Sequence, residues 1–229
     1  MKNKFKILIF ILFYFIFVSK NINANEPFIF DITEIEILED GNKINGFKGG
    51  TATSIDGSTI TAENFFYNKL TNILETTGNV KYTDNIKNII ITANKAIYLK
   101  NEEKIFTIGN SKAVNDTNTI TASNLEYDKI KNIFKAKKNV VVVDFEKDIT
   151  IYANEIFYLK NKEKVFTKGK TKALIENKYE FNSENVSYFR NLGDLISKNK
   201  SSVEDDSGNT YKLKNFKYNI NKELLKGQE

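Results

Sequence analysis

The chain has 229 residues, with 34 basic and 29 acidic side chains, and contains neither histidine nor cysteine. Their absence excludes Ser-His-Asp and Cys-His catalysis, the usual zinc sites and any disulfide within the chain. Four lysines and no acidic residue lie in residues 1–24, so the rest of the chain has 30 basic and 29 acidic residues. With this balance and one arginine, Arg190, we expect no nucleic-acid binding.

The first 24 residues have the order of a secretory signal. Lys2, Lys4 and Lys6 precede an apolar stretch from Ile7 to Val18, and a short polar segment follows. Twelve apolar residues are fewer than the roughly 20 that a spanning helix needs, so we predict cleavage near Asn25 and export to the periplasm. The alternative is an uncleaved membrane anchor.

From Ile60 onward the chain repeats one phrase six times, at intervals of 29 to 31 residues. Self-similarity at such a period is typical of a repeat architecture. The copies are ITAENFFY from Ile60, ITANKAIY from Ile91, ITASNLEY from Ile120, IYANEIFY from Ile151, FNSENVSY from Phe181 and YKLKNFKY from Tyr211.

Within the phrase, apolar residues occupy positions 1, 3, 6 and 8, as in Ile120, Ala122, Leu125 and Tyr127. Steps of two place residues on one face of a strand, and the odd step in the middle requires a bulge or bend if all four are to face inward. The pattern therefore predicts a kinked strand.

A polar turn and a second β-rich run follow each phrase. Gly78, Gly109 and Gly169 stand at the same point of this second run, where a bulge needs a permissive backbone. Isoleucine, valine, threonine and aromatic residues dominate the runs, which favours strands over helices. We predict an all-β chain of antiparallel hairpins with about a dozen strands.

Residues 25–229 are predicted to form a single repeat domain. Residues 26–59 look like a degenerate first unit, because Ile44 and Gly49 each precede an equivalent residue, Ile73 and Gly78, by 29 positions. The sixth unit stops at LLKGQE, as its second strand begins. Either that strand is an open edge, or the chain is the front of a longer protein.

Carboxylates alone can hydrolyse glycosides, and the candidate pairs are Asp144 with Glu146 and Asp205 with Asp206. These pairs fall in polar turns or at alternating strand positions, where solvated side chains are the ordinary expectation. The chain also lacks a glycine-rich phosphate-binding loop. We therefore expect no catalytic residues, no cofactor and no metal.

The repeats ITASNLEYDKIKNIFKAKKNVVV from Ile120 and ITAENFFYNKLTNILETTGNVKY from Ile60 resemble those of the OstA-like family. This family includes the periplasmic lipopolysaccharide-transport proteins LptA and LptC and the N-terminal domain of LptD. The resemblance covers most of residues 26–229 and is strongest to the LptD domain. Gly-Asn-Val survives only at Gly78-Asn79-Val80, and Lys138 replaces the glycine in a later copy.

The resemblance implies an antiparallel β-jellyroll of stacked hairpin repeats of about 30 residues, open along one side. It implies transport of lipopolysaccharide and outer-membrane assembly, with the acyl chains of lipid A held in an apolar groove. The implied partners are lipopolysaccharide and other Lpt-type jellyrolls, which would stack on edge strands. The groove candidates are Phe65, Tyr67, Ala96, Tyr98, Leu125, Tyr127, Ile156, Tyr158, Val186 and Tyr188.

Two alternatives stay open at this point. Each groove candidate is also compatible with plain protein core, and the chain is also compatible with a structural or adhesive exported repeat protein that carries no lipid. Exposed lysines such as Lys129, Lys131 and Lys135 suit lipid phosphates or a solvated turn equally well. LptD-like, LptA-like and LptC-like placements all remain possible, and the first associates the protein with the outer membrane.

Overall fold

The computed structural model describes residues 26–228, and the predicted signal segment lies outside these residues. Eighteen antiparallel strands make up most of this part of the chain, which contains short 3-10 turns at 39–41, 100–102, 160–162 and 220–222 but no α-helix. Accordingly, no helix among residues 26–228 is long and apolar enough to cross a membrane. The first nine strands are β1 Phe28–Leu38, β2 Lys43–Ser54, β3 Thr59–Ala62, β4 Asn64–Asn68, β5 Ile73–Asp84, β6 Ile89–Leu99, β7 Lys104–Val114, β8 Asn118–Asp128 and β9 Ile133–Asp144.

The remaining strands are β10 Ile149–Leu159, β11 Lys164–Ile175, β12 Tyr179–Glu184, β13 Ser187–Phe189, β14 Asp194–Ser197, β15 Ser201–Glu204, β16 Thr210–Leu213, β17 Asn215–Asn219 and β18 Leu224–Gln228. Each hairpin pairs with the next, so all strands belong to one continuous sheet. Within the described residues, β1 pairs only with β2, and β18 pairs only with β17. This sheet of stacked hairpins confirms the predicted fold class.

Every long strand is bent near its middle. The register shifts between Thr77 and Val80 where β5 pairs with β6, and an equivalent shift recurs along the sheet. In four places the bend divides a strand in two, giving β3 and β4, β12 and β13, β14 and β15, and β16 and β17. The strand count therefore exceeds the predicted dozen, and the predicted kink is confirmed.

Residues at the bend adopt left-handed backbone conformations. Gly78, Gly109 and Gly169 have φ angles of 77° to 81°, as the glycine pattern predicted. At Gly78 a Cβ atom would also lie 2.3 Å from a carboxylate oxygen of Glu63. Lys138 occupies the equivalent position of another repeat with a φ of 65°, a conformation that costs a non-glycine residue roughly 1–2 kcal/mol.

The bends divide the sheet into two arms that face each other. The first arm ends in hairpin turns at 55–58, 85–88, 115–117, 145–148, 176–178 and 205–209. The second arm ends in turns at 39–42, 69–72, 100–103, 129–132, 160–163, 190–193 and 220–223. Apolar side chains of both arms form one hydrophobic core that extends from Phe28 to Ile220. The bend places positions 1, 3, 6 and 8 of the repeat on the same inner surface.

Two positions on the inner side of the bend carry hydroxyl groups in several repeats. Thr107 donates to Ser111 over 2.8 Å, and the equivalent pair, Thr167 and Thr171, is 2.6 Å apart. On β5 the equivalent residues are Thr76 and Val80. Valine has no hydroxyl, and the buried Oγ1 of Thr76 has no hydrogen-bond partner. The valine thus leaves one buried hydroxyl unsatisfied, which is unfavourable.

Residues 28–54 belong to the same sheet, but the predicted spacing of the first unit is wrong by one residue. Ile44 on β2 pairs with Tyr67, as Leu74, and not Ile73, does on the other side of that tyrosine. The two left-handed residues in the bend of β2 are Lys48 and Gly49, where β5 has Gly78 and Asn79.

Candidate functional site: the apolar interior and its polar seam

All ten predicted groove residues lie in the core of the molecule. Each is at most 2% exposed, so the interior at these positions is filled by protein side chains. They occupy two inner rows of the second arm. The row nearer the bend contains Phe65, Ala96, Leu125, Ile156 and Val186, and the row nearer the turns contains Tyr67, Tyr98, Tyr127, Tyr158 and Tyr188.

The tyrosines place their rings in the core and their hydroxyls at the turns. Tyr67 donates to Asn72 over 2.9 Å, and Tyr127 donates to Asn132 over 3.2 Å. Tyr98 bonds to Glu103, so in each case the partner lies five residues further on. Burial, with a smaller effect of Glu26, raises the pKa of Tyr67 to about 12.

Opposite turns of the two arms meet along a line that we call the seam. Its best-connected residue is Lys129, whose ammonium lies 2.5 Å from Asp56 of the first arm and 3.1 Å from Glu103 of the second. The hydroxyls of Tyr98 and Ser58 complete its surroundings at 2.9 and 3.3 Å. Lys129 is only 5% exposed, so the expectation of an exposed lysine at this position is wrong. The charge of Lys129 is already neutralised by the protein.

The single arginine makes a second cluster at the seam. Arg190 donates to Asp144 over 2.7 Å and to Glu163 over 3.2 Å, and it also bonds to Glu146. The hydroxyl of Tyr188 is 2.9 Å from the same oxygen of Asp144. Burial opposes the charge of Arg190, but the bonds to these carboxylates outweigh it and raise the pKa of the guanidinium.

The first of the two candidate carboxylate pairs therefore has a structural role. Asp144 is 2% exposed and, with Glu146, binds Arg190, so the expectation of a solvated pair is wrong for Asp144. The second pair lies in the exposed turn at 205–209, where Asp205 accepts from Asn209 and Tyr211. No group of acidic side chains among residues 26–228 is arranged to hold a metal ion.

Single hydrogen bonds and ion pairs also cross the seam, both between the two clusters and at the ends of the seam. Lys87 donates to the carbonyl of Lys129 over 2.5 Å, and Lys160 donates to the carbonyl of Lys87 over 3.2 Å. Lys69 pairs with Glu26 at 2.8 Å near one end. Within residues 26–228, no backbone-to-backbone hydrogen bond joins turns of opposite arms. Side chains alone hold the seam closed.

A regularity of the sequence that lies just outside the repeated phrase indicates the seam. In five successive repeats the residue two positions after the tyrosine is basic, and four of these five cations contact the opposite arm. The five basic residues are Lys69, Lys100, Lys129, Lys160 and Arg190. Lys100 is the exception among them, because it pairs with Glu103 in its own turn.

The remaining two predicted lysines do lie outside the core. Lys131 is 68% exposed and is 3.5 Å from Asp128. Lys135 lies on the outer face of the second arm, with its ammonium 5.4 Å from the ring centre of Phe157.

Among solved structures, the crystal structure of LptH, "the LptA homologous periplasmic component of the conserved lipopolysaccharide transport device from Pseudomonas aeruginosa", is similar to this chain. The alignment covers 46% of this chain and 78% of LptH, with 16% identity and a TM-score of 0.42. The TCP10 domain of Danio rerio CPAP aligns over 78% of this chain and 97% of its own, with 7% identity and a TM-score of 0.18. No protein-family model and no curated protein sequence matches. These distant similarities do not indicate a function by themselves.

Proposed function

We propose that this chain is a periplasmic β-jellyroll that transports lipopolysaccharide, with the acyl chains of lipid A held between its two arms. The observation that carries the proposal is that one apolar interior extends along the whole sheet, while side chains alone join the arms at the seam. The resemblance of the repeats to the OstA-like family supports the same function.

Lipid entry requires the arms to separate at the seam, because protein side chains fill the interior when the seam is closed. Separation breaks contacts such as those of Lys129 and Arg190 but leaves the backbone hydrogen bonds of the sheet in place. A hydrogen bond to a charged group contributes roughly 1.5–3 kcal/mol. Burial of an acyl chain of about a dozen methylenes gains roughly 10 kcal/mol, which is enough to offset the loss of several such contacts.

The proposal extends to partners at the two ends of the sheet. Strands β1 and β18 each pair on one side within residues 26–228. An unpaired strand edge accepts a further strand through main-chain hydrogen bonds, so it suits head-to-tail stacking with another jellyroll of this type. An LptD-like placement would bring such a stack to the outer membrane for the assembly of lipopolysaccharide.

The test is photo-crosslinking to lipopolysaccharide with benzoylphenylalanine at single positions of the protein lacking residues 1–24. Tyr127 faces the interior, whereas Phe106 lies on the outer face of the neighbouring strand β7. Both positions are aromatic in the unsubstituted protein, and circular dichroism of each substituted protein establishes that it keeps the sheet before the lipid is added. We expect crosslinks at Tyr127 and not at Phe106. A folded protein that labels at neither position, or equally at both, contradicts the proposal.

The second candidate function is a structural repeat protein without lipid cargo. The tight burial of all ten groove candidates favours it, because a packed interior is what such a protein requires. This function predicts that saturating lipopolysaccharide does not speed up amide hydrogen exchange in β8 and β10. The exchange is measured on the same protein as the crosslinking.

A further inference from the structure

The outer face of the second arm carries a cluster of lysines and phenylalanines on three neighbouring strands. It consists of Lys135 on β9, Phe157 on β10, and Lys164, Phe166 and Lys168 on β11, and we call it the lysine–phenylalanine patch. Phe157 is the cross-strand neighbour of both Lys135 and Phe166. The two phenyl rings stack with centres 4.8 Å apart and planes 5° from parallel.

The ammonium groups of the patch lie over aromatic rings. Lys168 and Lys135 are 4.9 and 5.4 Å from the ring centre of Phe157. Lys164 is 5.8 Å from the ring centre of Phe166 and 4.6 Å from that of Phe189. Such contacts orient a cation without neutralising its charge.

Lysines near the N-terminal end of the sheet have different surroundings. Lys43, Lys48, Lys95 and Lys104 each lie 2.5 to 2.6 Å from a glutamate oxygen. In the patch, by contrast, no carboxylate of the described residues is within 4.0 Å of Lys135, Lys164 or Lys168. Exposed Lys138 and Lys170 extend the positive charge to the bends of β9 and β11. Three glutamates lie opposite lysines of this face: Glu126 is the cross-strand neighbour of Lys135, Glu155 that of Lys137 and Lys168, and Glu184 that of Lys170. Of these pairs only Lys137 and Glu155 come within 4.0 Å, at 3.6 Å, so six lysines share the face with three glutamates. Positive charge therefore accumulates locally on a chain that is nearly neutral outside residues 1–24.

We propose that the lysine–phenylalanine patch binds the surface of an anionic phospholipid bilayer. Lysines near such a surface each contribute about 1 kcal/mol, and half-buried phenylalanines suit the boundary between headgroups and acyl chains. A sheet face presents these side chains in one layer, which matches an extended surface better than a small ligand. This inference is independent of lipopolysaccharide transport, since it concerns the outer face and not the interior.

Nucleic acid is the less suitable polyanion for this patch. Single-stranded nucleic acid binds by stacking its bases on free aromatic faces. Here Phe157 and Phe166 stack on each other, and lysine ammonium groups cover their remaining faces. The rings are therefore occupied, while the positive charge stays available.

The experiment measures co-sedimentation with vesicles, using the protein without residues 1–24, because residues 26–228 form one sheet with its own core. Vesicles contain phosphatidylcholine alone or with about 30% phosphatidylglycerol, at an ionic strength of about 0.1 M. The test variant combines Lys135→Gln, Lys164→Gln and Lys168→Gln. The matched control combines Lys43→Gln, Lys95→Gln and Lys104→Gln, which removes the same charge from lysines paired with glutamate.

We expect the unsubstituted protein and the control to bind the anionic vesicles and not the neutral ones. The test variant should bind on the order of 100-fold more weakly, from three lysines at about 1 kcal/mol each. Circular dichroism establishes that both variants keep the sheet. Equal weakening in both variants would show that net charge alone drives binding and would overturn the proposal. So would an absence of binding to anionic vesicles, or binding to single-stranded DNA in their place.

Discussion

The ammonium of Lys129 lies 2.5 Å from the carboxylate of Asp56, although 73 residues separate them in the chain. The two residues belong to turns of opposite arms, so their contact joins the sheet to itself across the seam. Lys129 is almost fully buried and also contacts Glu103 and Tyr98. One side chain thus connects three hairpin turns and closes the interior beneath them.

Replacement of Lys129 is expected to destabilise the protein. Lys129→Met leaves Asp56 and Glu103 without their shared cation, and loss of one partner of a buried ion pair costs about 3–5 kcal/mol. Because Asp56 is partly exposed to water, we expect a smaller loss of about 2 kcal/mol in the free energy of unfolding by urea. Lys131→Met, at a mostly exposed lysine in the same turn, should change it by less than about 0.5 kcal/mol. Equal effects of the two substitutions would contradict this role of Lys129.

The same cluster should make stability depend on pH. Burial raises the pKa of Asp56, but the hydrogen bonds from Lys129 and Ser58 outweigh it and hold the pKa well below its usual value. Burial likewise raises the pKa of Glu103, and bonds from Lys100, Tyr98 and Lys129 reverse that effect. Carboxylates with a lowered pKa in the folded state stabilise the protein above their unfolded pKa of about 4, and this stabilisation disappears as the pH falls further.

Urea unfolding of the unsubstituted protein and of Asp56→Asn at a series of pH values measures this contribution. The unsubstituted protein should be the more stable at neutral pH, and the difference should shrink as the pH falls below about 4. A difference that stays constant over the whole series would show that the charge of Asp56 does not contribute.

The repeats predict the bent sheet but not the seam. Steps of two, three and two between inward residues such as Ile120, Ala122, Leu125 and Tyr127 require a bend, and local spacing is enough to recognise it. Seam partners are 42 to 74 residues apart and depend on how far the sheet twists between successive hairpins. For this reason Lys129 and Lys131 look alike in the sequence, although one is buried and the other exposed.

The sequence is equally unable to distinguish a filled interior from a groove. An inward tyrosine has the same spacing whether it packs against lipid or against the opposite arm. The residue five positions later is more informative, because Asn72, Glu103 and Asn132 accept the tyrosine hydroxyls within their own turns. A tyrosine with such a partner places its hydroxyl at the turn and its ring on the inner side of the arm, but the same bond forms whether the ring packs against lipid or against protein.

Equivalent threonines at the bend should respond oppositely to the same substitution. Thr76→Val removes a buried hydroxyl that has no partner, so we expect the free energy of unfolding to rise by about 1 kcal/mol. Thr167→Val removes the bonds to Thr171 and to the backbone N–H of Val186 and should lower it by about 1–3 kcal/mol. Changes of the same sign in both variants would show that these hydroxyl contacts do not decide stability.

The bend also offers a stabilising substitution. Lys138 has a φ of 65° where other repeats have glycine, so Lys138→Gly relieves backbone strain. Glycine also makes the unfolded chain more flexible, which offsets part of this effect. We therefore expect the free energy of unfolding, measured by heat or urea, to rise by about 0.5–1 kcal/mol. Lys170→Gly, where the φ is not positive, should instead destabilise the protein by a similar amount. A loss of stability in Lys138→Gly would contradict this prediction.

A covalent link across the seam tests whether lipid enters by separation of the arms. Ile55 and Ile130 are exposed and adjoin Asp56 and Lys129 in turns of opposite arms. The chain has no cysteine, so Ile55→Cys and Ile130→Cys can be joined selectively by a bismaleimide. The linked protein should lose the lipopolysaccharide crosslink at Tyr127, while the same variant with separately capped thiols keeps it. The capped variant is the matched control, because it carries the same two substitutions without the link. A crosslink that persists in the linked protein would mean that lipid reaches Tyr127 by another route, such as the ends of the sheet.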